Sequence, residues 1–464
     1  MEASTFVENL ISIVGEYYVL TNTNDFYTYV TDHSTGTKGT PLCVVRPSST
    51  AEISMIAKLC NEHTVGIAIR AGGSGVSGGF LSGNDSILIS LDRLDRIIEI
   101  NEIDRYIIAE AGVVTQNLQD ALHNKGLCFP QNISSAKLSC IGGNVAVSSG
   151  SPKSLKYGST KKYVLNLEVV LPNGEVIWTG KNIKKNATGY NLTQLFVGSE
   201  GTLGIITKVV LEIVPLKKEA LILAPFKSSE EIFSFVKAFF MHGFDASSLE
   251  FLDKNAAELV FNYLNKKITE ESIEGMIWVE FESSHEQDNM VKMEALYELI
   301  KSYTPYEMLI GQNPKENEKL WRYRKKIGEA AINKGFFHDL DLVVQRSKGA
   351  EIYKKIEYVC NSLDLEFIVV GHIGDGNFHV NIFRDPNMSD NRWQANIKLC
   401  VSTLLKETVK LGGEISGEHG IGSYNKTYFE EFTAEQNIKI MKGIKKVFDP
   451  KHLLNTNNIF IKKP

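Results

Sequence analysis

Two imidazoles flank a Gly-Asp-Gly core in the stretch Gly371-His372-Ile373-Gly374-Asp375-Gly376-Asn377-Phe378-His379-Val380-Asn381-Ile382. Gly374 and Gly376 supply backbone conformations that other residues avoid, and Asp375 favours turns as well. On one straight strand His372 and His379 would face opposite ways, because they are an odd number of steps apart. A fold at the glycines returns them to one side. Two neutral imidazoles converging on a point are half of a divalent-metal site. A carboxylate must supply the rest, and Glu418 offers one beside a third imidazole, His419, in Ile415-Ser416-Gly417-Glu418-His419-Gly420-Ile421-Gly422. Three of the ten histidines fall in these two segments. One segment alone reads as a tight hairpin with core histidines; the two together favour a metal site.

A second set of residues suits an anion. Ile67-Ala68-Ile69-Arg70 reads as a strand running into Ala71-Gly72-Gly73-Ser74-Gly75-Val76-Ser77-Gly78-Gly79. Such a run clears side chains from one surface and leaves successive N–H groups to cradle a pyrophosphate. It is not a Rossmann fingerprint, because the strand Ile87–Leu91 follows where a helix should open. Nor is it a Walker A loop, since no Gly-Lys-Ser/Thr follows. Alone it is as much a surface loop as a phosphate loop. Two further glycine clusters change that balance: Cys140–Ala146 with Gly150 and Lys156-Tyr157-Gly158, and Gly198–Thr207. Three glycine loops in one α+β domain suggest a long ligand threaded along backbone, such as a dinucleotide.

The elements that must carry these residues are legible in outline. At 464 residues the chain can bury two or three cores. Pro41–Pro47 is a short apolar strand closed by proline. Ser48-Ser49-Thr50 with Glu52 starts a helix whose apolar face is Ile53, Ile56, Ala57 and Cys60. Leu165–Leu171 alternates as a strand before the turn Pro172-Asn173-Gly174. Past Val214 the glycine loops stop. The strand Ala220–Phe226, a helix capped at Ser228, the strand Met276–Phe281 and a helix after Asp288 predict a ferredoxin-like sheet with helices on one face. Phe233, Phe235, Phe239 and Phe240 of the first helix are expected in its core.

A net charge of −5 without a basic block argues against nucleic acid as a partner. The N-terminus shows no basic region followed by an apolar run, and no apolar stretch is long enough to span a bilayer, so neither signal peptide nor transmembrane segment is expected. Six scattered cysteines without a C-x-x-C pair fit reduced thiols in a cytoplasm and give no support to an iron–sulfur cluster. No internal repeat of solenoid length appears.

The ordered set Arg70–Gly79, Ile141–Asn144, Lys156-Tyr157-Gly158 and Gly198–Thr207 resembles the FAD domain of the vanillyl-alcohol-oxidase (PCMH) type. With the histidine segments and Asn455, the chain resembles the glycolate oxidase D-subunit/D-lactate dehydrogenase family over nearly its whole length. That resemblance implies an α+β protein. It would have a helical lead-in at 1–37, a two-subdomain FAD-binding domain at 38–217, a ferredoxin-like substrate or cap domain at 218–450, and a tail at 451–464 returning to the FAD domain. It also implies FAD contacts from Pro41, Arg70, Gly72, Gly73, Ser74, Gly75, Ser77, Gly78, Pro130, Ser134, Ser135, Gly142, Gly143, Asn144, Gly150, Tyr157, Gly158, Glu200, Gly201, Gly204, Ile206 and Asn455. Ser74 stands where some relatives carry a histidine bonded to the flavin, so the FAD is expected to be non-covalent. The usual Pro-Asp-Pro-Ser-Ser reads Gln131-Asn132-Ile133-Ser134-Ser135, and the terminal Asn-Pro-Gly-Lys reads Asn455-Thr456-Asn457-Asn458. The first keeps the serines but loses a carboxylate and a proline; in the second only Asn455 carries over, which predicts weaker FAD binding.

The implied reaction is oxidation of a D-2-hydroxy acid, with D-lactate and glycolate leading, by hydride transfer to FAD. A divalent metal (zinc, manganese or iron) is expected on His372, His379 and Glu418, with His419 as general base. Asn381 is expected to hydrogen-bond the substrate and Asp375 to shape the turn. Arg324 sits in Leu320-Trp321-Arg322-Tyr323-Arg324-Lys325-Lys326, which by itself reads as a solvated basic helix face. The resemblance makes Arg324 the clamp for a substrate carboxylate, which guanidinium geometry suits. D-2-hydroxyglutarate would need a further cation that the sequence does not place. With no nicotinamide site visible, electrons are expected to leave to a quinone or to a protein acceptor, an electron-transfer flavoprotein among them. The rivals are a non-catalytic FAD subunit of a larger oxidase and a colourless metal hydrolase with structural glycine loops.

Overall fold

In the computed structural model, which describes residues 3–31, 37–266 and 272–461, Ser49 caps a helix at Thr50–His63. Its hydroxyl accepts the Glu52 N–H at 3.2 Å, and the Glu52 carboxylate accepts the Ser48 N–H at 2.7 Å. This satisfies donors that a helix start otherwise leaves without partners. Ile53, Ile56, Ala57 and Cys60 form its buried face. The helical lead-in expected at 1–37 lies partly outside the described residues.

The chain forms two units: Met1–Ser149 with Ser159–Leu216 and Glu418–Pro464, and Gly150–Gly158 with Lys217–Gly417. Residues 418–450, assigned on sequence to the substrate domain, therefore cluster with the first unit, and 150–158 with the second. In the first unit, Val19–Leu20, Val44–Val45, Ser86–Ser90 and Gly66–Arg70 form a four-stranded sheet in that order, parallel across its last three strands. Ser86–Ser90 is buried along its whole length, as a strand inside a parallel sheet must be. A five-stranded antiparallel sheet runs Ile97–Asn101, Tyr106–Glu110, Ile205–Glu212, Val164–Val170, Val176–Trp178. The tail joins Gly66–Arg70: Ile67 donates to the Leu453 carbonyl at 2.7 Å, and Asn455 donates back to Ile67 at 2.8 Å.

The second unit is built on seven strands: β1 Lys218–Phe226, β2 Ser248–Asp253, β3 Gly275–Ser283, β4 Leu309–Gly311, β5 Phe337–Val343, β6 Glu366–His372 and β7 Asn377–Phe383. They lie in the order β4-β1-β3-β2-β6-β7-β5, all antiparallel. With α1 Ser229–Met241, α2 Lys254–Tyr263, α3 Glu286–Lys301, α4 Pro314–Lys334, α5 Gly349–Ser362 and α6 Asp390–Lys410, the chain traces a strand–helix–strand–strand–helix motif twice, the first time with α2 inserted between its second and third strands. The strand orders β1-β3-β2 and β5-β7-β6 match, and β2 pairs with β6 to join the halves.

Side-chain alternation separates the two faces of this sheet. Phe226, Phe251, Phe281, Phe378 and Val380 point to one face, where Phe233 and Phe235 of α1 and Tyr353 of α5 meet them. Leu221, Leu223, Leu252, Met276, Trp278, Ile368 and Val370 point the other way, against Ala256 and Val260 of α2 and Leu320, Trp321 and Ile327 of α4. Helices thus cover both faces, not one. The sheet is also wider than the ferredoxin-like expectation, because that motif occurs twice.

Candidate active site

The second face of the sheet carries a band of polar residues beyond its apolar part. Strand register puts Glu219, Glu280, Glu282, Glu250, His372, Asn377, His379, Asn381, Asp339 and Asp341 on the same side. The turn joining β6 to β7 is closed by Asp375 N–H to the His372 carbonyl at 2.9 Å. Gly376 sits there at φ +76°, where a Cβ would come within 2.1 Å of the Val344 carbonyl, so only glycine fits. The hairpin brings the His372 and His379 rings to 5.3 Å between centroids at 89°.

Each polar side chain expected at the site in this unit has a carboxylate behind it. Glu250, fully buried, lies 2.7 Å from His372 Nδ1 through Oε1 and 2.8 Å from Arg324 Nη2 through Oε2. Asp341 lies 3.4 Å from His379 Nδ1 and accepts from Asn377 Nδ2 (2.8 Å), Ser416 Oγ (2.9 Å) and the Gly417 N–H (2.8 Å). Asp339 accepts from Asn381 Nδ2 at 2.6 Å. An imidazole whose Nδ1 faces a carboxylate is oriented to offer Nε2 to a cation, so this donor set suits a divalent metal. Arg324 joins the cluster, and its buried Nε has no hydrogen-bond partner among the described residues, which leaves the guanidinium a donor for a ligand. Glu250, Asp339 and Asp341 were not among the residues singled out on sequence.

Elsewhere on the same face, Lys153 ion-pairs with Glu219, with Glu282 at 3.2 Å and with Glu280 at 3.6 Å. Burial opposes its charge most strongly, but the three glutamates outweigh it and raise the ammonium pKa. Glu280 also accepts from Trp321 Nε1 (2.9 Å) and Ser247 Oγ (2.8 Å); burial pushes it up to about 7 while Lys153 pulls it back. Tyr157, expected near the cofactor, hydrogen-bonds Glu282.

In the first unit the glycine loop leaves Gly66–Arg70. Among the described residues, the N–H groups of Gly72, Gly73, Ser74 and Gly75 have no partner within the chain. Gly73 adopts φ +69°, and a side chain there would collide with the Arg70 guanidinium. A Cβ on Gly75 would meet nothing within 4 Å. A run of open N–H groups beside cleared space fits a pyrophosphate. Arg70 is held between the rings of Tyr29 (5.5 Å) and Phe80 (5.7 Å), and burial lowers its pKa. Ser77 and Gly78 are buried beside the loop, Ser134 is exposed and Ser135 half-buried.

Three residues carried over as cofactor contacts have side chains turned to the protein instead. Glu200 accepts the Ile421 and Gly422 N–H groups, both at 2.7 Å. Burial raises its pKa to about 7, against the pull of those two bonds. Asn455 donates to the Glu200 carbonyl at 2.6 Å and accepts from Ile69 N–H at 3.0 Å. Asn144 donates to Thr115 Oγ1 at 2.7 Å. Glu200 thereby anchors the loop that follows His419, whose Nε2 lies 3.9 Å from Glu418 Oε1.

Comparison with known proteins identifies the family. Residues 216–459 match the family "FAD linked oxidases, C-terminal domain", and residues 41–180 match "FAD binding domain". D-lactate dehydrogenase of Archaeoglobus fulgidus is 33% identical over 90% of this chain and 90% of its own. D-2-hydroxyglutarate dehydrogenase of Stutzerimonas stutzeri is 30% identical over 99% of this chain and 100% of its own. The substrate-bound structure of p-cresol methylhydroxylase superposes with a TM-score of 0.80 at 15% identity, covering 98% of this chain and 96% of that one. The fold is therefore that of the PCMH-type FAD proteins, with an FAD-binding portion followed by a C-terminal domain. The chain belongs to the FAD-linked oxidase family and is an FAD-linked oxidoreductase of the 2-hydroxy-acid dehydrogenase type.

Proposed function

We propose that this protein oxidises a short D-2-hydroxy acid, D-lactate to pyruvate, with non-covalent FAD and a divalent metal held by His372, His379 and Glu418. The observation that carries the metal reading is the perpendicular His372–His379 pair, with a buried carboxylate behind each ring. FAD, when bound, would supply the acceptor for the hydride that leaves the substrate's α-carbon. A bound cation supplies Lewis acidity that makes the α-hydroxyl easier to deprotonate. His419 takes the hydroxyl proton. Arg324 holds the carboxylate through N–H groups not turned to Glu250. Asn381, anchored by Asp339, presents its amide to the substrate. Around Asn381 the sheet adds the carboxylates Asp339 and Asp341, which supports a monocarboxylate over D-2-hydroxyglutarate. Glycolate, one carbon shorter, is the alternative within this reading.

Among the described residues no helix is long and apolar enough to cross a membrane. The cysteines are all free, which supports a reducing, cytoplasmic location and a quinone or protein electron acceptor. Anaerobic titration of the purified flavoprotein tests the proposal. D-lactate is expected to bleach the flavin where L-lactate does not, and stripping divalent cations is expected to stop the bleaching. Bleaching by D-2-hydroxyglutarate but not by D-lactate would overturn the substrate assignment. Flavin colour that no hydroxy acid bleaches would instead indicate a non-catalytic FAD subunit.

A further inference from the structure

Glu250 stands mid-strand in β2, fully buried, where a carboxylate needs partners to be tolerated. Its two oxygens face different functional groups, His372 Nδ1 at 2.7 Å and Arg324 Nη2 at 2.8 Å. One group is a proposed metal ligand and the other the proposed substrate clamp. We propose that Glu250 is a positioning residue that couples divalent-cation affinity at His372 to carboxylate affinity at Arg324. The inference rests on the metal reading given above.

The coupling follows from how one negative charge is shared. With Nδ1–H turned to Glu250, His372 is held in the tautomer whose Nε2 carries the lone pair a cation needs. A cation on Nε2 withdraws density from the ring and strengthens the Nδ1–H donor. The carboxylate charge then shifts toward the imidazole. Less remains for Arg324, whose guanidinium turns more of its own charge to an incoming substrate. Such coupling is reciprocal. Removing the guanidinium leaves the whole carboxylate to His372 and tightens the cation, although Arg324 itself is no ligand.

The test uses Zn2+ alone, with no organic acid present, so that direct chelation by substrate cannot mimic the effect. Chelator-stripped holoflavoprotein is titrated against a chromogenic chelator. Glu250→Gln is expected to weaken Zn2+ binding about 10- to 100-fold, the range for losing such an outer partner. Arg324→Gln is expected to tighten it severalfold, and that gain should vanish in the double variant. Flavin content and thermal unfolding report whether Glu250→Gln folds; if it does not, Arg324→Gln still decides. Unchanged Zn2+ affinity in Arg324→Gln overturns the coupling, as does a folded Glu250→Gln protein that binds Zn2+ like wild type. Wild-type protein that takes up no Zn2+, or the same amount after His379→Ala, overturns the metal reading instead.

Discussion

Two clusters of charge lie on one face of one sheet, one around β1 and β3 and the other across β2, β6, β7 and β5, and they are completed differently. In the first cluster Lys153 stands among Glu219, Glu280 and Glu282, and Trp321 and Ser247 take up further oxygen valence of Glu280. The cluster answers its own charges. In the second cluster Glu250 engages His372 and Arg324, Asp341 engages His379, and Asp339 engages Asn381. A cluster of paired charges holds a fold, whereas imidazoles, a guanidinium and an amide oriented by carboxylates are the donor set a ligand calls for.

That contrast can be broken by substitution. Lys153→Met should have the largest effect, on stability: it strands the buried Glu280 and Glu282, and breaking a buried pair costs about 3–5 kcal/mol. Urea unfolding measures it, and KM for the hydroxy acid should stay unchanged in the protein that folds. A stable Lys153→Met protein with a raised KM would make the first cluster part of the site. His379→Ala should do the reverse, lowering the rate of flavin reduction about 100-fold or more, beyond what an outer partner costs. Its midpoint of unfolding should barely move, because Asp341 keeps Asn377, Ser416 and Gly417 as partners. Arg324→Lys comes next. A compact ammonium cannot hold Glu250 and a substrate carboxylate in the fork a guanidinium offers, so KM should rise about tenfold with a smaller change in kcat.

Much of this organisation is readable before any coordinates. The Gly-Asp-Gly turn places His372 and His379 on one side, and Ser49 with Glu52 starts the helix where the capping pattern says it should. Local chemistry decides both. The partners are harder to see, because Glu250 and Asp341 reach their histidines across strands, over sequence separations no local pattern spans. A signal was nevertheless present. Phe337-His338-Asp339-Leu340-Asp341-Leu342-Val343 places two aspartates at period two in an apolar strand, and Trp278-Val279-Glu280-Phe281-Glu282 does the same with glutamates. Carboxylates at strand period among core residues need buried partners, so such strands mark polar sites. What pattern alone does not reveal is direction. Glu200 and Asn455 sit in motifs that suggest a cofactor, yet their side chains hold the chain to itself.

The smallest expected effect tests how the first cluster is completed. Burial lifts Glu280 from an ordinary 4.5 to about 7, with Lys153 acting against the rise. The folded protein therefore keeps a proton through a pH range in which the unfolded chain has released it. Stability falls with pH wherever the folded state binds more protons. The contribution from Glu280 is thus fully present below about pH 4.5 and lost as pH rises toward 7. Glu200, lifted to about 7, and Asp253, lifted to about 8, both chiefly by burial, add slopes of the same sign. Glu280→Gln should therefore flatten, without abolishing, the fall in urea midpoint between pH 5 and 7. If the slope is unchanged, Glu280 is ionised throughout, and Lys153 balances three full negative charges. The first cluster would then carry excess charge, and the distinction from the second would rest on geometry alone.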